Sequence, residues 1–293
     1  MAEKIFGIDV SRYQGVCKWP IIAAKGVKFA GIRTSISWAY VDPQAQANID
    51  GALANGIDIL PYWVLYPNED AKKQVDHFYG LLQKWGVKLN ETYCVIDVEM
   101  YAGFHKCTPA KYQSTLSNAL VYSKTISGKA PVIYSRASFI NYYVTGIGQI
   151  FNPKIPSWYD THYWWLAHYL SSGLEHPGPV AIPKGVDRGR VIIHQTTDKG
   201  TPFGVESAAL DYNRWQLGDA AYDDFFGASN GVPVPGSQRT NPHILNLRDS
   251  PDSTGNIIGT ITPNSKFQIS GTVGKWAKIN GWLNTEETDP VNE

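Results

Sequence analysis

The chain has 293 residues, of which 43% are apolar and 18% are charged, a composition typical of folded globular proteins. Basic and acidic residues number 26 each, so the net charge is zero and the basic footprint of a nucleic-acid-binding protein is missing. No apolar run approaches the roughly 18 residues of a membrane-spanning helix. We therefore predict neither a nucleic-acid partner nor membrane insertion.

The three cysteines, Cys17, Cys94 and Cys107, do not have metal-ligand spacing, and any disulfide scheme leaves one of them unpaired. The N-terminal residues lack the apolar core of a secretory signal. We predict mostly free thiols in a protein made in a reducing cytosol, with a Cys17–Cys107 disulfide as the alternative. No zinc-site spacing of His, Asp or Glu occurs either, so the sequence predicts no metal and no cofactor.

Strands and helices alternate through the first half of the chain. Eight segments have the apolar runs of strands: residues 4–10, 27–35, 57–66, 93–96, 131–135, 164–169, 191–196 and 207–212. Helices are predicted from about residue 69 to 85 and from Thr108-Pro109 to Gly128. A further helix is expected to begin at Asp42 as N-cap and to end at Gly56. Its apolar face would consist of Ala45, Ile49 and Leu53.

This alternation indicates parallel strand–helix–strand units. After residue 140 the helical signal fades while strands continue, so we predict an α/β fold, an incomplete (β/α) barrel that resembles a TIM barrel and lacks its late helices. In such barrels the functional site lies at the C-terminal ends of the strands.

Two carboxylates end the central strand, in the sequence Asp97-Val-Glu99. Side chains at positions i and i+2 of a strand point the same way, with Cα atoms roughly 6.6 Å apart. Burial and like charge favour retention of a proton by such a pair, as general acid catalysis requires. The alternative is a strand end where acids simply meet water. Asp9 and Asp211 also lie near predicted strand C-termini, which favours a catalytic site.

The last part of the chain has a different character. Residues 227–240 have the Gly, Pro and Ser content of a linker. Residues 241–293 contain short strand-like segments separated by turn residues, which predicts a small all-β module. The predicted division is a barrel over 1–226, a linker over 227–240 and a module over 241–293.

Several separated motifs resemble those of family-25 glycoside hydrolases, peptidoglycan muramidases that include Chalaropsis-type lysozymes and phage endolysins. The motifs are Gly7-Ile-Asp9-Val-Ser11, Asp97-Val-Glu99, Trp165-Leu-Ala-His-Tyr169, His194-Gln195 and Leu210-Asp211-Tyr-Asn213. The resemblance covers roughly residues 4–217 and implies a flattened barrel. It also implies cleavage of the β-1,4 bond between N-acetylmuramic acid and N-acetylglucosamine. The family often has Trp where His194 stands and Leu where Tyr212 stands, which bears on substrate fit.

The resemblance implies roles for the four acids. Glu99 matches the general acid, and Asp97 matches the carboxylate that orients the N-acetyl group of the substrate, which itself attacks the anomeric carbon. Asp9 and Asp211 match acids that set hydrogen bonds and the local field, and a nucleophilic role for either stays open.

Substrate contacts are predicted for residues on strand ends. The candidates are Tyr62, Tyr134, Trp165, Tyr169 and Gln195. For the aromatic residues, packing in the barrel core is the equal alternative. The C-terminal module resembles a bacterial Src-homology-3-like wall-binding domain, with Trp276 and Trp282 as the first candidates for wall contact.

The sequence therefore predicts a monomeric lysozyme whose partner is bacterial peptidoglycan, a phage endolysin or a signal-less autolysin. It would be made in the host cytoplasm, act at the cell wall and be released by a separate pore-forming protein. One alternative is a non-catalytic barrel that binds peptidoglycan or chitin as a lectin. Another is a chitinase-type glycosidase, although those enzymes usually have Asp-Gly and further acids upstream, where Glu91-Thr-Tyr-Cys-Val-Ile stands here.

Overall fold

The protein is described by a computed structural model over residues 5–99, 107–146, 155–169 and 179–226. In the C-terminal part it covers residues 238–240, 245–250, 256–261, 266–268, 271–273, 276–278, 282–284 and 289–290. The chain divides into two compact units, Met1–Gly227 and Ala228–Glu293. Most of the predicted linker, residues 227–237, lies outside the described residues, so its boundaries stay a prediction.

Eight strands of the first unit close into a barrel, and each overlaps a predicted strand. They are β1 (Phe6–Val10), β2 (Phe29–Ile36), β4 (Asp58–Val64), β5 (Val95–Asp97), β6 (Val132–Ser135), β7 (Trp164–Ala167), β8 (Val191–Gly200) and β9 (Leu210–Trp215). A two-residue strand, β3 (Tyr40–Val41), extends the edge of β2. The barrel strands β1, β2 and β4 to β8 are parallel, whereas β9 is antiparallel to both β8 and β1.

The described part of this unit contains six α-helices. They are α1 (Trp19–Ala24), α2 (Ala45–Ala54), α3 (Ala71–Lys84), α4 (Pro109–Ser127), α5 (Ala137–Phe139) and α6 (Asp219–Phe226). The three predicted helices are α2, α3 and α4, while α1, α5 and α6 were not predicted. Among the described residues between β6 and β9, the helical elements are α5 and single turns, so the predicted loss of late helices is confirmed.

Helix ends follow the expected local chemistry in α4 but not in α2. Thr108 accepts a hydrogen bond from the Lys111 amide, and Gly128 ends α4 in the left-handed conformation. The predicted N-cap of α2 was wrong, since the helix begins at Ala45 with Gln44 as its N-cap. Asp42 Oδ1 accepts from the Gln44 amide, and Oδ2 accepts from the buried Arg33.

The predicted apolar face of α2 was also wrong at its last position. Leu53 is 53% exposed, whereas Ala52 is fully buried. At 3.6 residues per turn, a step of seven residues from Ala45 returns closer to the same face than a step of eight.

The two faces of the barrel strands pack against different partners. One set of alternating residues, including Ile8, Ile32 and Ile96, packs with helix residues in the outer layer. The opposite set, including Phe29, Leu60 and Val95, fills the interior with Tyr222 and Phe225 of α6. Because strand side chains alternate, Asp9, Arg33, Asp97, Gln195 and Asp211 share the inward face at the far end of the same strands.

The described part of the second unit is all-β, as predicted. Its strands are β10 (Gln238–Thr240), β11 (Leu245–Arg248), β12 (Ile257–Ile261), β13 (Lys266–Gln268), β14 (Gly271–Val273), β15 (Trp276–Lys278), β16 (Trp282–Asn284) and β17 (Asp289–Pro290). They form a five-stranded sheet in the order β12-β11-β16-β15-β14 and a three-stranded sheet in the order β13-β10-β17. β10 consists of the last three residues of the predicted linker.

The structure also describes the state of the cysteines and the apolarity of the helices. All three cysteines are free thiols. Within the described ranges, none of the helices combines the length and the apolarity required to cross a bilayer.

Candidate active site

Four carboxyl groups converge in a cavity of about 310 Å³ at the end of the barrel where β1 to β8 finish. They belong to Asp9, Asp97, Glu99 and Asp211, the four predicted catalytic residues. All five predicted substrate-contact residues line the same cavity: Tyr62, Tyr134, Trp165, Tyr169 and Gln195. The structure therefore places together nine residues that are scattered over 203 sequence positions, from 9 to 211.

Asp211 reaches this cavity in a way that the sequence analysis did not anticipate. It is the second residue of β9 and not near the end of a parallel strand. Because β9 is antiparallel to β1, its beginning lies beside the end of β1, and Asp211 is directly opposite Asp9.

Asp9 is held as a hydrogen-bond acceptor. Its Oδ2 accepts from Gln195 Nε2 and from Asn213 Nδ2, each at 2.8 Å. Burial raises the pKa of Asp9, while these amide donors and a hydrogen bond with Asp211 work in the opposite direction. Burial, followed by the adjacent charge of Asp9, raises the pKa of Asp211 to about 9. At neutral pH Asp211 thus keeps its proton, which it donates in a hydrogen bond to Asp9.

Asp97 and Glu99 form the second carboxyl pair. Burial, and then the charges of Glu99 and Asp9, raise the pKa of Asp97 well above its usual range. Burial also raises the pKa of Glu99, partly offset by the charge of Arg136 and a hydrogen bond with Tyr134. Among the described residues Asp97 Oδ1 is buried without a hydrogen-bond partner.

The backbone around this pair is fixed from two sides. Ser135 Oγ donates to the Val98 carbonyl at 2.7 Å, and the Tyr112 hydroxyl donates to the Glu99 carbonyl at 3.1 Å. Asp97 is only 5% exposed, whereas Glu99, beyond the end of β5, is half-buried. Glu99 is therefore the carboxyl group that an incoming ligand meets more readily.

The aromatic lining is tied to Asp9 through Gln195. Both Tyr134 and Tyr169 donate their hydroxyl protons to Gln195 Oε1 at 2.8 Å, which directs the amide NH₂ towards Asp9. Trp165 is 1% exposed and packs edge-on against Tyr134 and Tyr62, so core packing describes most of its surface. Tyr169 is 46% exposed and is open to a ligand.

Four further lining residues were missed: Ser11, Tyr13, Gln14 and Arg33. Ser11 and Gln14 have the spacing of a capping box, which is visible in the sequence. In the structure Ser11 Oγ accepts from the Tyr13 amide, and the Ser11 amide donates to Gln14 Oε1. Arg33 interrupts the apolar run of β2, and this was the available signal in the sequence. A cation buried in a strand requires a polar partner nearby.

The remaining site predictions lie elsewhere. Trp276 and Trp282 begin β15 and β16, and their side chains lie outside what the structure describes, so wall contact stays a prediction. Across the described ranges there is no group of three or more His, Cys, Asp or Glu side chains that could hold a metal ion.

Comparison with known proteins places this cavity in a family. Residues 8–205 match the family model described as Glycosyl hydrolases family 25, which covers more than half of the chain. The chain belongs to glycosyl hydrolase family 25. Residues 245–288 of this family-25 protein match the bacterial SH3 domain. Both resemblances inferred from the motifs are thereby confirmed.

Individual relatives agree with this assignment. The family-25 protein is 27% identical over 193 residues to "Uncharacterized protein YegX" of Escherichia coli K12, covering 64% of this chain and 65% of that one, slightly less than two thirds of its length. It is 26% identical over 219 residues to "Lysozyme M1" of Streptomyces globisporus, covering 73% and 68%. The crystal structure of a bacterial lysozyme from Streptomyces coelicolor has the same barrel fold, with a TM-score of 0.63 at 21% identity, covering 78% of this chain and all of that one.

The raised pKa of Asp211 makes stability depend on pH. The folded protein retains this proton up to about pH 9, whereas an unfolded aspartate loses it near 3.8, so stability falls as the pH rises between these values. An asparagine still donates to Asp9 and cannot ionise. We expect Asp211→Asn to raise the free energy of unfolding at pH 7 by at least about 1.4 kcal/mol, the equivalent of one pKa unit. The gain should vanish below pH ~4.

Urea denaturation at pH 4 and pH 7 measures this difference. Asp224→Asn is the matched control because Asp224 is exposed on α6, and its profile should follow that of the wild type. Equal stability of Asp211→Asn and wild type at pH 7 would show that Asp211 is ionised in the folded protein.

Proposed function

We propose that this family-25 protein is a peptidoglycan hydrolase, a muramidase that cleaves the β-1,4 bond between N-acetylmuramic acid and N-acetylglucosamine. The observation that carries the proposal is the convergence of two carboxyl pairs in one open cavity at the functional end of the barrel. A lectin would bind sugar without needing four clustered acids, of which Asp9 and Asp97 are buried at a high desolvation cost. The non-catalytic alternative is therefore not favoured.

In the proposed mechanism Glu99 is the general acid. Its raised pKa favours the protonated form, and its position at the cavity mouth brings it towards the departing glycosidic oxygen. The acetamido oxygen of the substrate attacks the anomeric carbon as the glycosidic bond breaks, and Glu99 gives its proton to the leaving oxygen. Glu99, now ionised, then removes a proton from the water that opens the cyclic intermediate.

Asp97 is proposed to position the acetamido group. Its carboxyl group lines the cavity beside Glu99 and accepts the acetamido N–H, which directs the acetamido oxygen towards the anomeric carbon. The Asp9–Asp211 pair lies in the same cavity, with Asp9 Oδ2 fixed by two amide donors. We assign this pair to the electrostatic field of the site, because the Asp9 oxygen that accepts from Gln195 and Asn213 is held in place.

Mass spectrometry of digested Gram-positive peptidoglycan tests the proposal. The digest is reduced with borohydride, which converts each new reducing end into a sugar alcohol. Muramitol at the new ends is the expected result. Reduced glucosamine ends would identify a glucosaminidase, and release of ends from purified chitin would identify the chitinase-type alternative. If no digest contained new reducing ends, the result would favour the non-catalytic lectin alternative.

We further propose that the C-terminal unit tethers the enzyme to the cell wall and that the monomeric enzyme acts there, on the outer side of the membrane. A tether raises the local concentration of substrate around the barrel without any new contact to the cleaved bond. The origin in a phage or in a bacterium, and release through a separate pore-forming protein, stay predictions.

Removal of residues 227–293 is expected to separate binding to the cell wall from cleavage of the glycosidic bond. The truncated barrel should bind purified cell walls more weakly, by about 10²-fold if the tether acts through effective concentration. Its rate on small soluble muropeptides should stay within about twofold, since the family match to the barrel ends at residue 205. Cell-wall pulldown and a soluble-substrate assay measure the two effects. Complete loss of activity on soluble muropeptides would contradict the proposed independence.

A further inference from the structure

A second cavity, of about 390 Å³, adjoins the catalytic one and has a different chemical lining. The two share Tyr13 and Arg33 as a common wall. Aromatic rings dominate the second cavity: Tyr13, Trp38, Tyr40 and Tyr66. Tyr13 is 61% exposed and Trp38 is 46% exposed, so both present ring faces that a sugar can cover.

Arg12 lines this second cavity and has no carboxylate partner among the described residues. The Arg12 guanidinium lies 4.9 Å from the centroid of Tyr13 and 5.7 Å from that of Tyr40, and Nη2 donates to the Tyr13 hydroxyl at 3.3 Å. Arg12 is exposed and forms no salt bridge with any described residue. Two aromatic faces thus orient a charge that has no counter-ion, and its planar fork of donors suits a carboxylate.

The backbone beneath Arg12 is rigid. Its amide donates to Asp42 Oδ2 at 3.1 Å, and the same oxygen accepts from Arg33 Nε at 2.8 Å. The buried Asp42–Arg33 pair therefore anchors the turn that carries Arg12 and Tyr13. Glu69, the acidic residue of the cavity lining, accepts from Trp38 Nε1 at 3.1 Å and so holds the indole ring.

The lining of the second cavity also contains local backbone strain. Ser37 has a φ of +52°, in the left-handed region, and its buried hydroxyl has no partner among the described residues. A non-glycine residue rarely adopts this conformation, and such strain concentrates at binding sites. Here the strained residue immediately precedes Trp38, whose ring it presents to the cavity.

We propose that this second cavity is a subsite for the carboxylate-bearing substituent of a muramic residue, with Arg12 as its counter-ion and Trp38 and Tyr13 as its sugar platform. This inference rests on the proposed muramidase function. N-acetylmuramic acid carries a lactyl ether that N-acetylglucosamine lacks, and either the lactyl group or the attached stem peptide supplies the carboxylate. The catalytic cavity is lined by four carboxyl groups, whereas Arg12 supplies a positive charge that attracts this substituent. The subsite would thereby select peptidoglycan over chitin.

Binding in a Glu99→Gln background tests the proposal, because the ligands remain uncleaved. Three tetrasaccharides of alternating N-acetylglucosamine and N-acetylmuramic acid are compared by calorimetry: one with free lactyl carboxyls, one with lactyl amides and one bearing stem peptides. Adding Arg12→Gln should raise the Kd of a carboxylate-bearing ligand about tenfold and leave the Kd of the amide within twofold. Arg12→Lys should recover part of the affinity, since it keeps the charge and loses the planar fork.

The three ligands distinguish the source of the charge. Weaker binding of the free lactyl tetrasaccharide identifies the lactyl carboxylate, and weaker binding of the peptide-bearing ligand alone identifies the stem peptide. Arg188→Gln is the matched control, because Arg188 is exposed just before β8, at the opposite end of the barrel. Equal changes for all three ligands, or no change in any, would overturn the proposal.

Wild-type activity on the same ligands is measured in parallel. Absence of cleavage would refute the proposed function, whereas the differences in Kd would still decide whether Arg12 recognises the carboxylate.

Discussion

Glu99→Gln should lower kcat on peptidoglycan at least about 10²-fold, because glutamine can neither give a proton to the leaving oxygen nor remove one from water. The fold should survive, since the substitution replaces a carboxyl group whose burial raises its pKa with a neutral amide of the same shape. Release of reducing ends measures the rate, and thermal unfolding checks the fold.

A control substitution separates the role of Glu99 from a general loss of charge. Glu91 is exposed, pairs with Lys88 at 3.0 Å and precedes β5 at the opposite end of the barrel, so Glu91→Gln should leave kcat unchanged. If Glu99→Gln retained more than a tenth of wild-type activity, the barrier would have changed by less than ~1.4 kcal/mol, and another group would have to be the acid.

Asp42→Ala should lower the free energy of unfolding by about 3–5 kcal/mol, the usual effect of removing one partner of a buried ion pair. Asp42 is 2% exposed and accepts hydrogen bonds from Arg33 Nε, the Arg12 amide and the Gln44 amide. Alanine leaves the charge of Arg33 in a site from which water is largely excluded. Urea denaturation followed by circular dichroism gives the change in free energy.

Two comparisons make this prediction specific. Asp50→Ala, at an exposed position of α2, should change stability by less than about 0.5 kcal/mol. The double variant Asp42→Ala, Arg33→Met should be more stable than Asp42→Ala alone, because it no longer contains the unpaired charge. A loss below ~1 kcal/mol in the single variant would mean that other neighbours of Arg33 neutralise its charge.

The Asp42–Arg33 pair also links stability to the proposed specificity. Arg33 lines both cavities, and Asp42 holds the turn that carries Arg12. Substitution of Asp42 should therefore disturb the second cavity even under conditions where the barrel remains folded.

Local sequence patterns were enough to locate three of the acids at strand ends. Asp9 and Asp97 close short apolar runs, and the i, i+2 spacing of Asp97 and Glu99 predicted that both point the same way; all three line the cavity. These conclusions needed only local geometry, because the direction of a strand side chain follows from its position in the strand. The motifs added the family, and the match over residues 8–205 agrees.

How distant segments meet depends on contacts that local patterns do not contain. The antiparallel direction of β9 places Asp211 against Asp9, and closure of the barrel brings Gln195 and Asn213 to the same carboxylate. The buried pair of Asp42 and Arg33 is likewise a contact that local patterns did not predict. Such contacts depend on the register and closure of the whole sheet, and these are fixed by the packing of all its strands together.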